Sequence, residues 1–125
     1  MEEMPDYNVP YNIFMTRVAE QYYRLAGTTD SLGISTSDLE PNKRDACRDK
    51  ATMIVKRLAE INEDNMEYYL SLKGTDNYKL VDSEVNQALY VLQTLPTMVR
   101  GAGLISLSDS LAKNFQKIYK ESGYE

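Results

Sequence analysis

The chain has no histidine, no tryptophan, one cysteine and only two phenylalanines among its 125 residues. Each shortage excludes something. Without histidine, the commonest general base and the commonest nitrogen ligand for metals are missing. The Glu-x-x-His ligand pairs of di-iron helical bundles cannot be assembled. A single cysteine, Cys47, can neither close an internal disulfide nor furnish a structural zinc site from one chain. A reducing, cytoplasmic setting is therefore expected. No apolar run approaches the roughly 20 residues that span a bilayer. The opening Met1-Glu2-Glu3-Met4-Pro5-Asp6 is acidic where a secretory leader is basic and then apolar. No membrane partner is expected.

Among what is present, 42% of the residues are hydrophobic, enough to exclude wholesale disorder, and the length suits one core rather than two. The net charge of −5 argues against a free-standing nucleic-acid binder, because phosphate contacts dominate such affinity. It leaves room for a local basic face.

The hydrophobic pattern predicts helices and no strands. Residues 1–11 read as an irregular arm broken by Pro5 and Pro10. A helix is expected from Asn12, a good N-cap, to Ala26, with Phe14, Val18, Tyr22 and Leu25 forming its inner face and Gly27 stopping it. Residues 27–38 read as a loop pinned to the core by Leu32 and Ile34. A second helix should start at Pro41, capped by Asp38 or Ser37, and pack through a seam of Cys47, Ala51, Ile54, Leu58 and Ile61. The polar stretch 62–65 predicts a bend, followed by a short helix through Met66, Tyr69 and Leu70 to Gly74; one helix over 41–73 is the alternative. After a loop at 74–80, Asp82 or Ser83 should cap a helix carrying Val85, Leu89 and Leu92, with Val81 as a hydrophobic staple. Pro96 interrupts this helix and Gly101-Ala102-Gly103 completes the break. A last helix over 106–120 places Leu107, Leu111, Phe115 and Ile118 on one face. The expected fold is all-α: a compact bundle of five or six helices in one domain covering 1–125.

Catalytic constellations lack parts. Cys47 falls on the apolar seam and reads as a small buried hydrophobe. Ser110-Leu111-Ala112-Lys113 matches the S-x-x-K pattern of penicillin-recognising enzymes, without the other elements of that site. Gly101-Ala102-Gly103 follows no strand, so it is not a phosphate loop. Glu60, Glu63, Asp64 and Glu67 read as a solvated surface. No catalytic residue, cofactor or small-molecule substrate is expected, and the chain reads as non-enzymatic.

Binding features are better represented. Six of the 14 basic residues lie between positions 43 and 57: Lys43, Arg44, Arg48, Lys50, Lys56 and Arg57. On a helix, Lys43, Lys50 and Arg57 border one side of the seam while Arg44 and Arg48 border the other. Such side chains can lay their stems on the core edge and keep their charges in water, or they can meet phosphate or an acidic partner. Lys113, Lys117 and Lys120 oppose the apolar face of the last helix and suit its C-terminal end. Ten tyrosines supply apolar area with a polar tip, a combination suited to partly buried interfaces.

Residues 95–104, Leu-Pro-Thr-Met-Val-Arg-Gly-Ala-Gly-Leu, carry a resemblance. Leu95, Pro96, Val99, Arg100, Gly103 and Leu104 resemble the "LP-x-x-[IV]-R-x-x-GL" segment of the small helical subunit of type III-B CRISPR effector complexes, with Leu111-Ala112-Lys113 following at a similar distance. The resemblance implies a compact, non-catalytic helical bundle that stacks on other protein subunits and helps hold a guide RNA and its target strand through basic surfaces. Lys43, Arg44, Arg48, Lys50, Arg57 and Arg100 are the candidate contacts to nucleic-acid backbone or partner. Two alternatives stand beside this reading: a structural or adaptor component of another assembly such as a viral particle, and an acidic inhibitor that mimics nucleic acid through residues 60–67.

Overall fold

Left-handed glycines mark where the chain turns. In the computed structural model, which describes residues 9–27, 32 and 37–123, α1 (Val9–Ala26) ends at Gly27 with φ +72°, and α4 (Asp82–Gly101) is separated from α5 (Ile105–Ser122) by Gly103 with φ +86°. Between them lie the long α2 (Pro41–Ser71) and the single turn α3 (Asn77–Leu80). Five helices and no strand occur among the described residues, an all-α fold as the periodicity predicts.

The core forms two adjoining clusters. Ala19 and Tyr23 of α1 meet Ala51, Val55, Leu58 and Ala59 of α2, Val91, Leu95 and Val99 of α4, and Leu111 of α5. Farther along α2, Met66 and Tyr69 meet Val85, Ala88, Leu89 and Leu92 of α4, with Phe115 and Ile118 of α5 packed against them. Each buried Val or Leu contributes about 1.5–3 kcal/mol by leaving water, and α2 and α4 contribute to both clusters.

Several expectations need correction. Helix α1 starts at Val9, three residues before Asn12, because Pro10 sits in a first turn where its missing N–H costs nothing; residues 1–8 of the expected arm lie outside the described residues. The buried face of α1 is Asn12, Thr16, Ala19, Tyr23 and Ala26, while Phe14 and Leu25 are 59% and 52% exposed. Small side chains at 16 and 19 let α1 lie close to α2. There Tyr23 donates to Thr52 Oγ1 at 2.9 Å, and Thr52 in turn donates to the Arg48 carbonyl at 2.8 Å. Leu32 is 81% exposed rather than packed into the core, and Ile34 lies outside the described residues.

Neither Ser37 nor Asp38 caps α2; its N-cap is Glu40, with no side-chain cap hydrogen bond. Ser37 Oγ instead donates to the Leu25 carbonyl at 2.7 Å and accepts from the Leu39 N–H at 3.2 Å, tying the approach to α2 onto the end of α1. The expected bend at 62–65 is absent and α2 runs unbroken. Asn62 and Asn65 point inward and are fully buried, while Asp64 is exposed, so the polar stretch keeps a helical inside and outside. Asn62 Nδ2 donates to the Leu58 carbonyl one turn back at 2.8 Å. The seam is rotated from that expected: Ala51, Val55, Leu58, Ala59 and Asn62 are buried, whereas Cys47, Ile54 and Ile61 are half-buried at its edge. The stretch 74–80 contains α3.

Asp82 and Ser83 lie within α4, whose N-cap is Val81, with no side-chain cap bond; Asp82 and Glu84 in the first turn instead complement the helix dipole. Pro96 does not interrupt α4. It is buried inside the helix, and its carbonyl accepts the buried Ser108 hydroxyl of α5 at 2.8 Å. The break falls at 102–104, as the glycines predict.

Candidate nucleic-acid interface

Helix α2 carries its charge in two blocks. Positions 43–57 hold the six basic residues against two acidic ones, Asp45 and Asp49; positions 60–67 hold Glu60, Glu63, Asp64 and Glu67. The first turn contains Lys43 and Arg44 and no acid, and the last turn contains no base. This is the reverse of what the helix dipole favours, which is anions at the N-terminus and cations at the C-terminus.

The six basic side chains do not form one row. Lys43, Lys50 and Arg57 are exposed and share a stripe two turns apart. Lys50 Nζ lies 5.3 Å from the ring centroid of Tyr22, which places this stripe beside α1. Arg57 is 3.4 Å from Glu60. Lys56 is exposed on the other flank, where it lines a shallow pocket with Thr52 and the α4–α5 turn. Arg44 and Arg48 do not border the seam from outside. They precede Ala51 and Val55 by seven residues, fall on the inward side of the helix, and are half-buried near its start. Arg48 is 3.5 Å from Asp45. Arg44 Nε is buried without a hydrogen-bond partner. Ion pairs this long and this exposed hold little free energy and leave the charges available to an outside anion.

Arg100 belongs to another element. It ends α4, where the dipole favours a cation, and reaches across the turn to Asp109 of α5 at 3.0 Å. That contact gives Arg100 a structural use in holding the α4–α5 turn.

Two sites were not legible in the pattern. In the acidic half of α2, Glu63 lines a groove of about 500 Å³ against α5, with Glu67, Asn114 and Lys117 among its walls. Burial pushes the Glu63 carboxyl above the usual carboxylate range; the Asn114 amide, donating at 3.4 Å, opposes this, and neighbouring Asp64 and Glu60 reinforce it. Burial likewise raises the Tyr23 phenol, against the hydrogen bond to Thr52 and the charge of Arg48.

The second site is a groove of about 410 Å³ between α1 and α2, lined by Tyr11, Asn12, Met15, Met53, Ile54, Arg57, Leu58 and Ile61. Asn12 is fully buried, and neither its Nδ2 nor its Oδ1 has a hydrogen-bond partner. Its position as a helix N-cap was the natural sequence reading. The sign of burial was the 12, 16, 19, 23 spacing, hidden because its members are small or polar. Cys47 is a free thiol at the half-buried edge of α2 rather than in the core.

No group of three or more Cys, Asp or Glu side chains that could hold a metal ion occurs among the described residues. No described helix is long and apolar enough to cross a membrane. Comparison with protein-family models, with curated proteins and with solved structures gives no match.

Proposed function

We propose that the protein is a non-catalytic helical subunit of a larger cytoplasmic assembly and that the first half of α2 binds nucleic-acid backbone. The observation that carries this reading is the placement of Lys43 and Arg44 in the first turn of α2, against the helix dipole, with no acid in that turn and no side-chain cap. Such an arrangement costs the isolated fold some stability. It becomes favourable when a phosphate meets the uncapped backbone N–H groups together with the exposed Lys43. The exposed Lys50, Lys56 and Arg57 extend the same field along the helix. The assembly we favour is an RNA-guided effector complex, on the resemblance of residues 95–104. The half-exposed Tyr11 and the exposed Phe14 and Met53 support docking on protein neighbours, and they would serve equally in a structural component of another assembly, such as a viral particle.

The test is the triple variant Arg44→Gln, Arg48→Gln, Arg57→Gln, assayed for binding of single-stranded RNA over a range of salt concentrations. Each lost phosphate contact should reduce the slope of log Kd against log salt by about 0.7. Helicity should change little, because the two ion pairs removed are long and partly exposed. Unchanged affinity and slope in the variant would remove the nucleic-acid reading and leave the protein-docking one.

A further inference from the structure

We propose that the α1–α2 groove receives an unpaired adenine of a strand held by α2, an inference that rests on α2 being the phosphate-binding face. The groove adjoins that face through Arg57, which belongs both to its lining and to the exposed basic stripe of α2. Its volume of about 410 Å³ falls within the range of about 300–1,000 Å³ typical of small-molecule pockets. Its walls are Tyr11, Met15, Met53, Ile54, Leu58 and Ile61, the apolar and aromatic surface on which bases stack irrespective of identity.

Asn12 is what makes this more than an apolar cleft. A fully buried amide with neither donor nor acceptor used carries the desolvation penalty of both groups. An isosteric leucine would avoid that penalty. The amide presents a donor and an acceptor side by side, the pattern that matches the N6 and N7 edge of adenine in a two-bond contact. An adenine so placed would satisfy both orphan groups at once. Its phosphate would extend toward Arg57 and Lys50, and its face would lie against the ring of Tyr11. Because the amide is covered in the free chain, the base must displace a wall residue. Met15 is unbranched and only partly buried, so it can move at low cost.

The experiment compares wild type, Asn12→Leu, Tyr11→Ala and the Arg44/Arg48/Arg57→Gln variant, using fluorescently labelled oligo(A), oligo(U) and oligo(C) RNA of about a dozen nucleotides. Wild type should bind oligo(A) about ten-fold more tightly than the pyrimidine strands. Asn12→Leu should abolish that preference while retaining the salt slope, with Tm equal to or above wild type. Tyr11→Ala should weaken all strands by about ten-fold through lost stacking, and it keeps the test open if Asn12→Leu fails to fold. The arginine variant should weaken every strand alike. No preference for oligo(A), or a preference that survives Asn12→Leu, overturns the adenine site while leaving the phosphate reading intact. Absence of salt-dependent binding to any strand overturns both. Competition by poly-glutamate as effective as that by oligo(A) would assign the groove to an acidic peptide instead.

Discussion

Gly27 and Gly103 share a left-handed backbone, yet substitution should affect them very differently. A Cβ at Gly27 would stand 2.6 Å from the Ser37 backbone nitrogen and 2.7 Å from Ser37 Cβ, whereas a Cβ at Gly103 would meet nothing within 4 Å. Gly103→Ala should therefore cost only the left-handed penalty, about 1–2 kcal/mol. Gly27→Ala adds a clash with backbone that is itself tied to α1 through Ser37, and should cost about 2–5 kcal/mol. Urea unfolding of the two variants measures the difference; equal losses would show that the 27–37 contact yields freely. Glu63 offers a second test. Its folded pKa lies above the unfolded value because of burial, so ionisation opposes folding. The stability present below the unfolded pKa is lost as pH rises through the folded pKa. Glu63→Gln should gain in Tm relative to wild type as pH increases above about 4, and the two should converge at lower pH. A variant less stable than wild type at neutral pH would mean that the Asn114 contact outweighs burial.

Among the helices, α2 combines the most length with the least favourable charge arrangement. It runs 31 residues without a side-chain cap, and its first turn is cationic. Lys43→Glu should stabilise the protein by about 0.3–1 kcal/mol through the dipole alone, while weakening RNA binding in the same assay used for the arginine variant. Opposite movements of Tm and affinity would tie the charge placement to binding. If both fall together, Lys43 is making a structural contact. Helix α4 makes a different compromise. Pro96 removes one intrahelical hydrogen bond, yet the helix continues through it, with Pro96 buried and its carbonyl accepting from Ser108 of α5.

Across the molecule, α2 and α4 each run through both core clusters, so neither cluster can be lost while the other keeps its packing. Unfolding should be a single cooperative transition. In hydrogen exchange, the amides of Val55 and Leu95 in one cluster and of Met66 and Val85 in the other should share one opening free energy. Helix α3 has no buried residue and its amides should exchange far sooner. Two distinct free energies for the two clusters would show that the bundle opens in halves.

The sequence was sufficient for the all-α class, for the chain breaks at Gly27 and Gly103, and for the basic block on α2, because helix period, glycine tolerance and charge are local properties. It was insufficient for the rotation of each helix about its own axis. Phe14 and Leu25 looked like core and are exposed, while Asn12, Asn62 and Asn65 looked like caps or a bend and are fully buried. Which face turns inward depends on how closely two helices can approach. The small Thr16, Ala19, Ala51 and Ala59 set that distance only once α1 lies against α2. The same rotation carried Arg44 and Arg48 partly inward and joined Arg57 to the groove above Asn12. Periodicity marks that a helix has an inside; only its neighbours decide which residues occupy it.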